Sequence, residues 1–213
     1  MLKVNEIFHS IQGESSYTGL PCVFVRLTGC DLRCSWCDTP YAFNEGQALS
    51  VENVVKKVKT YQSLLVEITG GEPLLQPDVY KLMRALLKFG KTVLLETGGH
   101  IDISKVPDEV IKVVDVKCPG SGESENNLWG NLDRLKAHDE VKFVIRDRSD
   151  YDFAKEVLKR HHLEERCASV LFSPVHSVLP LKLLTNWSLE DQLPVRLQIQ
   201  LHKYVWGEHV RGV

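Results

Sequence analysis

The densest group of reactive side chains is a short loop that carries three of the chain's six cysteines. Cys30, Cys34 and Cys37 are spaced C-x3-C-x2-C in the stretch GCDLRCSWCDT. Three thiolates can bind three irons of a [4Fe-4S] cube and leave the fourth iron open to a ligand from outside the protein. The alternative is a tetrahedral zinc site in which Cys22 or a histidine is the fourth ligand. The spacing favours the iron–sulfur cluster but leaves zinc open.

The bulk composition limits the setting in which this loop works. The 213 residues are 43% hydrophobic and 25% charged with a formal net charge of -2, so no broad basic surface is expected for nucleic acid or for an anionic membrane. No apolar run is long enough to span a membrane, and the N-terminal stretch MLKVNEIFHSIQGE lacks the apolar core of a secretion signal. We therefore expect a cytoplasmic protein. In that reducing compartment, clustered cysteines indicate metal or redox chemistry more often than disulfides, whereas the isolated Cys118 and Cys167 are expected to be buried thiols.

Apolar, strand-like stretches alternate with helix-like or loop-like ones, which predicts parallel β/α units. We predict strands at CVFVRL, LLVEIT, TVLLET, VIKVVDVK, EVKFVI, SVLFSPV and VRLQIQL. Helices are predicted from a cap at Ser50 through Thr60, between Pro77 and Gly90, after a capping box formed by Ser149 and Asp152, and near 179–189. The expected fold is a single α/β domain over residues 1–213, an incomplete (β/α) barrel of about six parallel strands, because a complete eight-unit barrel typically takes about 250 residues.

The unusual residues follow these strands. TGGEP comes after LLVEIT, ETGG overlaps the end of TVLLET, KCPGSG overlaps the end of VIKVVDVK, and SPVH overlaps the end of SVLFSPV. Ligands of parallel barrels and open sheets bind at the carboxyl ends of the strands. The sequence therefore predicts one site where these four strand ends meet the cysteine loop.

The cysteine loop together with GGEP resembles the radical S-adenosylmethionine (SAM) superfamily. The resemblance implies a [4Fe-4S] cluster whose open iron binds SAM through its amino and carboxylate groups. One-electron cleavage of SAM then yields a 5′-deoxyadenosyl radical that abstracts hydrogen from the substrate. In such enzymes the protein orients the cofactor and excludes side reactions.

Four further stretches narrow the resemblance. EIFHSIQGE, VFVRLTGCDLRCSWCDT, ITGGEPLLQ and QLHKYVWG together are similar to the 7-carboxy-7-deazaguanine synthase family. This resemblance implies a lyase of queuosine and deazapurine biosynthesis that contracts the ring of the pterin substrate 6-carboxy-5,6,7,8-tetrahydropterin, with loss of ammonia. It also implies Mg2+, regeneration of SAM, an electron donor such as flavodoxin or ferredoxin, and a homodimer.

The resemblance assigns three sets of residues. The metal ligands are Cys30, Cys34 and Cys37 for the cluster and Thr39 for Mg2+. The expected SAM contacts are Trp36, Cys37, Asp38, Gly70, Gly71, Glu72, Asp115, Val116, Lys117, Ser173, Pro174, Val175 and His176. The expected substrate contacts are Ile11, Gln12, Gly13, Glu14, Arg26, Thr69, Glu96, His202 and Val213.

Several of these assignments also have a reason in the residue type. Arg26 interrupts an apolar strand and suits a bidentate clamp on a carboxylate, although a buried ion pair is the alternative. Glu96 can accept hydrogen bonds from a guanidine-like ring edge, or it can serve as a cap. Thr39 offers Mg2+ a neutral hydroxyl, or it is simply a turn residue before a proline. Gly71 allows close approach of backbone, and Glu72 can pair with the ammonium group of SAM.

The chain departs from the usual family sequence at two positions, and two other functions are possible for its motifs. Ser15 stands where the family usually has glycine, and Asp31 stands where it often has asparagine. An activase of a glycyl-radical enzyme has the same cysteine and GGEP motifs, but IQGE and Arg26 argue against it. A non-catalytic iron–sulfur or zinc protein is the rival of a different class, and it gives the polar strand ends no role.

Overall fold

The computed structural model describes residues 1–208 and 210–213. Its strands are β1 (Leu2–Ile11), β2 (Pro21–Leu27), β3 (Gln47–Leu49), β4 (Leu65–Gly70), β5 (Thr92–Thr97), β6 (Ile111–Asp115), β7 (Glu140–Ile145), β8 (Ser169–Pro174) and β9 (Arg196–Leu197). Its α-helices are α1 (Val51–Val58), α2 (Val79–Lys88), α3 (Arg148–His161), α4 (Leu163–Arg166), α5 (Leu181–Glu190) and α6 (Leu201–Trp206). None of the described helices is both long and apolar enough to cross a membrane.

All the described strands belong to one sheet in the order β3-β1-β2-β4-β5-β6-β7-β8-β9. Every pairing from β2 to β9 is parallel, whereas β1 pairs antiparallel with both β2 and β3. The edge strands β3 and β9 lie at opposite ends of this order, so the barrel is open. The incomplete barrel of about six parallel strands is thus confirmed. The antiparallel edge was not predicted, and it arises because the short loop between β1 and β2 pairs them as a hairpin.

The two faces of the sheet have different compositions. The outer face carries fully buried valines and isoleucines such as Val25 and Ile68, which belong to the cluster that includes the buried faces of α1 and α2. Phe143 occupies the equivalent outer position on β7, in the cluster that includes α3. Full burial of each such side chain stabilises the fold by about 1.5–3 kcal/mol. The inner apolar cluster is smaller and includes Cys22 and Phe24, so polar residues can occupy the rest of the interior.

Helix ends follow the predicted signals with one exception. The Ser50 side chain accepts a hydrogen bond from the Asn53 backbone N–H, so α1 begins as predicted, although it ends at Val58 rather than Thr60. The capping box predicted at Ser149 and Asp152 is wrong. The cap of α3 is Asp147, whose carboxylate accepts from the Asp150 backbone N–H at 3.1 Å, so the helix starts two residues earlier than predicted.

The last predicted strand is much shorter than the stretch VRLQIQL. Only Arg196 and Leu197 pair with β8. The backbone N–H of Gln198 still bonds the carbonyl of Phe172 at 2.9 Å, but the Gln198 side chain donates to the Ser15 carbonyl at 3.0 Å. The chain therefore leaves the sheet and continues as α6 beside the loop that follows β1.

Candidate active site

One pocket opens at the carboxyl ends of the parallel strands, where the sequence predicted the site. Its walls come from the loop after β1, the cysteine loop, the GGEP loop, the ends of β5 to β8, and the segment around α6. The predicted site residues that line it are Ile11, Gln12, Gly13, Glu14, Arg26, Cys30, Cys34, Trp36, Cys37, Asp38, Thr39, Thr69, Gly70, Gly71, Glu72, Glu96, Asp115, Lys117, Ser173, His202 and Val213.

The three thiols of the cysteine loop are half-buried and line the same pocket. Burial raises the pKa of Cys30 and of Cys34, and negative charge on neighbouring thiolates and carboxylates raises it further. Thiolates at these positions therefore need positive charge nearby, which the irons of a cluster would provide. The donor chemistry of the loop fits a [4Fe-4S] cube.

The geometry does not favour the zinc alternative. Cys22 is fully buried near the amino end of β2, within the inner apolar cluster, whereas the cysteine loop follows the carboxyl end of that strand. Within residues 1–208 and 210–213, no three His, Cys, Asp or Glu side chains converge as the ligands of a single ion would. Thiolates that bind different corners of a cube need not converge on one point.

The GGEP loop packs directly on the cysteine loop. The Gly71 backbone N–H bonds the Leu27 carbonyl at 3.0 Å, and the Glu72 N–H bonds the Gly29 carbonyl at 2.7 Å. A Cβ at position 71 would lie 2.2 Å from the Gly29 carbonyl oxygen and 2.9 Å from the Cys30 Cβ. Backbone packing therefore requires glycine at position 71. The sequence analysis gave a different reason, the close approach of the backbone to SAM.

Glu72 lines the pocket, but the protein already uses both of its carboxylate oxygens. Oε1 accepts from the Leu74 N–H at 2.9 Å, and Oε2 accepts from the Gly98 N–H at 2.8 Å. The Thr97 hydroxyl lies within 3.0 Å of both oxygens, and His100 Nδ1 lies 3.8 Å from Oε2. These bonds give Glu72 a structural role between the GGEP loop and the end of β5.

The end of the cysteine loop contacts the segment around α6. Gln200 Nε2 donates to Asp38 Oδ2 at 2.8 Å and to Glu14 Oε1 at 3.0 Å, and Lys203 forms an ion pair with the same aspartate. Thr39 precedes a 3-10 turn at Pro40–Phe43, yet its hydroxyl makes no capping hydrogen bond. That hydroxyl is therefore not committed to local structure.

Arg26 is held at the pocket wall through one side of its guanidinium group. Its Nε donates to Glu6 Oε1 at 2.8 Å, and the Tyr41 hydroxyl lies 3.2 Å from the same oxygen. Arg211 lies over the Tyr41 ring at 3.7 Å, and Val213 lines the pocket beyond it. The ion pair fixes Arg26 through Nε and commits neither terminal nitrogen.

The loop after β1 contacts two other parts of the chain, β4 and the segment around α6. The Gln12 side-chain amide donates to Glu67, a buried residue of β4 that sequence reasoning missed. Burial raises the pKa of Glu67 well above its ordinary value, and the charges of Glu96 and Glu14 raise it further. A Cβ on Gly13 would lie 2.1 Å from Nδ1 of His202, so this glycine also permits a close contact.

Other lining residues were missed because they lie inside apolar strands or past the motifs. They include Phe8, Phe24, Glu67, His100, Lys142, Val144 and Gln200. A charged residue within an otherwise apolar strand was the available signal for Glu67 and Lys142. His100 follows the ETGG motif directly, and its Nε2 lies 2.7 Å from Asp31, the departure noted in the cysteine loop.

Four predicted SAM contacts lie outside the lining of this pocket. Val116 is buried in the outer cluster that contains Phe143. Pro174 and His176 border a second, adjacent cavity, and Gln200 lines both cavities. Val175 is buried, with its backbone N–H on the Ile145 carbonyl at 2.8 Å.

The chain is similar to known proteins over its whole length. Residues 24–116 match the family model described as Radical SAM superfamily. The chain is 48% identical to the 7-carboxy-7-deazaguanine synthase of Koribacter versatilis, with 100% of both chains covered. It is 43% identical to the protein of that name from Chlorobaculum tepidum, over 100% of this chain and 97% of the relative. The crystal structure of QueE from Escherichia coli has the same fold, with a TM-score of 0.79, 24% identity and 94% of each chain covered.

Proposed function

Because the chain belongs to the 7-carboxy-7-deazaguanine synthase family of radical SAM enzymes, we propose that its pocket binds a [4Fe-4S] cluster, SAM, Mg2+ and one 6-carboxy-5,6,7,8-tetrahydropterin molecule. The protein is a lyase that forms 7-carboxy-7-deazaguanine. The observation that carries the proposal is the meeting of the cysteine loop, the GGEP loop and the IQGE loop at a single pocket.

The cofactor residues lie on one side of this pocket. Cys30, Cys34 and Cys37 hold the cluster. Asp115 lines the pocket, and its Oδ1 is buried without a hydrogen-bond partner among the described residues, so it can accept a hydrogen bond from a ligand. SAM offers hydroxyl and ammonium donors. The bound cluster and SAM together supply the one-electron chemistry that removes a hydrogen atom from the substrate, and SAM is regenerated.

The Mg2+ assignment is supported by Thr39. Its hydroxyl lines the pocket and makes no capping bond. Mg2+ keeps several waters and accepts substrate oxygens, so a single neutral protein ligand suits an ion that also contacts the substrate carboxylate. The position of Thr39 directly after the cysteine loop would place that ion between the cofactor and the substrate.

The remaining lining residues orient the pterin. Arg26, fixed by Glu6, has terminal N–H groups for the carboxylate of the substrate. Gln12 is fixed by Glu67 and can bond a polar edge of the ring, while Glu14 and Glu96 can accept hydrogen bonds from its amino groups. Positioning is the protein's largest contribution, because a reactive radical attacks whatever lies nearest.

Two partner assignments belong to the same proposal. A flavodoxin or a ferredoxin supplies the electron, and two copies of the chain assemble into a homodimer. Light scattering of the purified protein tests the second assignment, and reduction of the cluster by each donor tests the first.

The reaction itself is tested by mass spectrometry of an anaerobic mixture. It contains reconstituted protein, a reductant, SAM, Mg2+ and the pterin. We expect 7-carboxy-7-deazaguanine with little net loss of SAM. Accumulation of 5′-deoxyadenosine without that product would contradict the assignment of the substrate. If neither compound forms in a protein with a verified cluster, the enzymatic function is contradicted.

A further inference from the structure

A buried lysine connects the carboxylates at the bottom of the pocket. Lys142 lies on β7, directly opposite Asp115 of β6 in the parallel register, and only 6% of its side chain is exposed. Its Nζ lies 3.0 Å from Glu14 Oε2 and 3.9 Å from Asp115 Oδ2, and it donates to Glu96 Oε1 at closer range. The three carboxylates come from the loop after β1, from β5 and from β6.

The charges around Lys142 explain why it stays ionised. Burial alone would lower its pKa, but Glu14, Glu96 and Asp115 together raise the Lys142 pKa well above its ordinary value. Burial likewise opposes ionisation of Glu14, yet Lys142 and the hydrogen bond from Gln200 bring the pKa of Glu14 down to about 2. Glu14 is thus a carboxylate throughout the neutral range, as an acceptor of ligand N–H groups must be.

Lys142 contacts only one oxygen of each carboxylate. At Glu96 it contacts Oε1, and Oε2 accepts no hydrogen bond from the described part of the chain. At Glu14 it contacts Oε2, while Oε1 accepts from Gln200. Asp115 Oδ2 also bonds Lys117 at 2.7 Å, which extends the chain of charges toward the cofactor side of the pocket.

We propose that Lys142 is a positioning residue that fixes the Glu14 and Glu96 carboxylates for contact with the heterocyclic ring of the substrate. This inference rests on the proposed function, because it takes these two carboxylates as substrate contacts. Lys142 itself touches protein groups and acts through them. Without its charge, two partly buried carboxylates would lose their shared cation and would be free to turn away from the ligand.

A second buried lysine in the same sheet provides a matched control. Lys112 of β6 is as deeply buried as Lys142 and forms an ion pair with Asp139 at 3.1 Å, but neither residue lines the pocket. Replacing either lysine by methionine leaves a buried carboxylate without its cation, so both variants should lose stability. Only the Lys142 variant should lose affinity for the ligand.

The test is anaerobic calorimetry of 7-carboxy-7-deazaguanine binding to the reconstituted enzyme with SAM and Mg2+ present. Lys142→Met should weaken this binding by at least about 30-fold, the loss typical of removing one partner of a buried charge pair. Lys142→Arg keeps the positive charge on a different head group. It should bind the product at least about tenfold more tightly than Lys142→Met, but less tightly than wild type. Lys112→Met should melt at a lower temperature and bind within about threefold of wild type.

Product affinity within about threefold of wild type in folded Lys142→Met would overturn the proposal. If that variant does not fold, Lys142→Arg decides: an increase of about threefold in the KM for the pterin at unchanged melting temperature supports the positioning role, and an unchanged KM overturns it. Failure of the proposed function has a separate signature, because wild-type enzyme would then neither bind nor form 7-carboxy-7-deazaguanine.

Discussion

The segment from Gly29 to Thr39 carries the three cysteines that we propose as cluster ligands in one continuous loop, whereas the polar floor of the pocket takes its residues from five different elements. We define the polar floor as Glu14, Glu67, Glu96, Asp115 and Lys142. The loop is held by backbone hydrogen bonds, such as that from the Gly29 N–H to the Ala42 carbonyl at 2.8 Å. The floor is held by ion pairs between Lys142 and the carboxylates around it, and by the hydrogen bond from Gln12 to Glu67. Damage to the loop should therefore remove the chemistry, and damage to the floor should misdirect it.

The largest expected effect is at the loop. Cys34→Ala should abolish stable cluster assembly, because the cluster loses one of its three protein ligands. Iron and sulfide content and the visible absorbance of the cluster measure this, together with 5′-deoxyadenosine formation. Cys167→Ala is the matched control, because that thiol bonds the Leu163 and Ser169 carbonyls and packs against the cluster that includes α3, away from the pocket. A cluster that assembles and cleaves SAM in Cys34→Ala would refute the ligand assignment.

A smaller effect is expected where loop and floor meet. Thr39→Ala should leave the cluster intact and raise the Mg2+ concentration needed for half-maximal turnover by at least about tenfold, because the ion loses its proposed protein ligand. Thr39→Ser keeps the hydroxyl and should restore the wild-type requirement. An identical Mg2+ requirement in the alanine variant would remove Thr39 from the metal site.

Within the floor, Glu67 should affect stability through pH. Its pKa is raised in the folded protein, so the folded state holds a proton that the unfolded chain releases above about pH 4.5. The free energy of unfolding of the wild type therefore falls as pH rises from there toward the raised pKa.

Glu67→Gln removes this proton linkage. The variant should be more stable than wild type by about 1–2 kcal/mol near pH 8, and the difference should shrink toward pH 4. Urea unfolding at several pH values measures it. A stability difference that does not change with pH would mean that folding does not raise the pKa of Glu67.

The smallest effect concerns Ser15, which lies in the loop above the floor. Its φ of 63° is in the left-handed region, where the related family usually has glycine. Ser15→Gly should raise the free energy of unfolding by about 0.5–1 kcal/mol, since relief of the backbone strain exceeds the entropy cost of glycine. Ser16→Gly, as a control, should destabilise the protein, because the Ser16 hydroxyl and N–H both bond Glu140. A destabilised Ser15→Gly variant would contradict this account of the loop.

The difference between loop and floor also explains what the sequence could predict. Cys30, Cys34 and Cys37 lie close together in the chain, so their spacing alone indicates their chemistry. The parallel strands from β2 to β8 follow from apolar runs, whereas β1 and β3 of the antiparallel edge were not predicted. Lys142 was not found, because it is one of two charged residues in the otherwise apolar strand EVKFVI.

A charge inside a strand does not by itself reveal which face it occupies. Lys112 and Lys142 look alike in sequence, yet the first pairs with Asp139 outside the pocket and the second lines it. Which face each residue occupies depends on the register of β6 against its neighbours, which only the assembled sheet determines. The same reason left Glu67 unassigned.

The central claim, that the loop supplies the chemistry and the floor directs it, is tested most directly by Glu96→Gln. The measurement is the ratio of 5′-deoxyadenosine to 7-carboxy-7-deazaguanine in one anaerobic reaction, with the cluster content verified. We predict that the variant keeps its cluster and still cleaves SAM, so that this ratio rises by at least about tenfold over wild type as product formation falls. If SAM cleavage and product formation fall together and the ratio is unchanged, the division between loop and floor is contradicted.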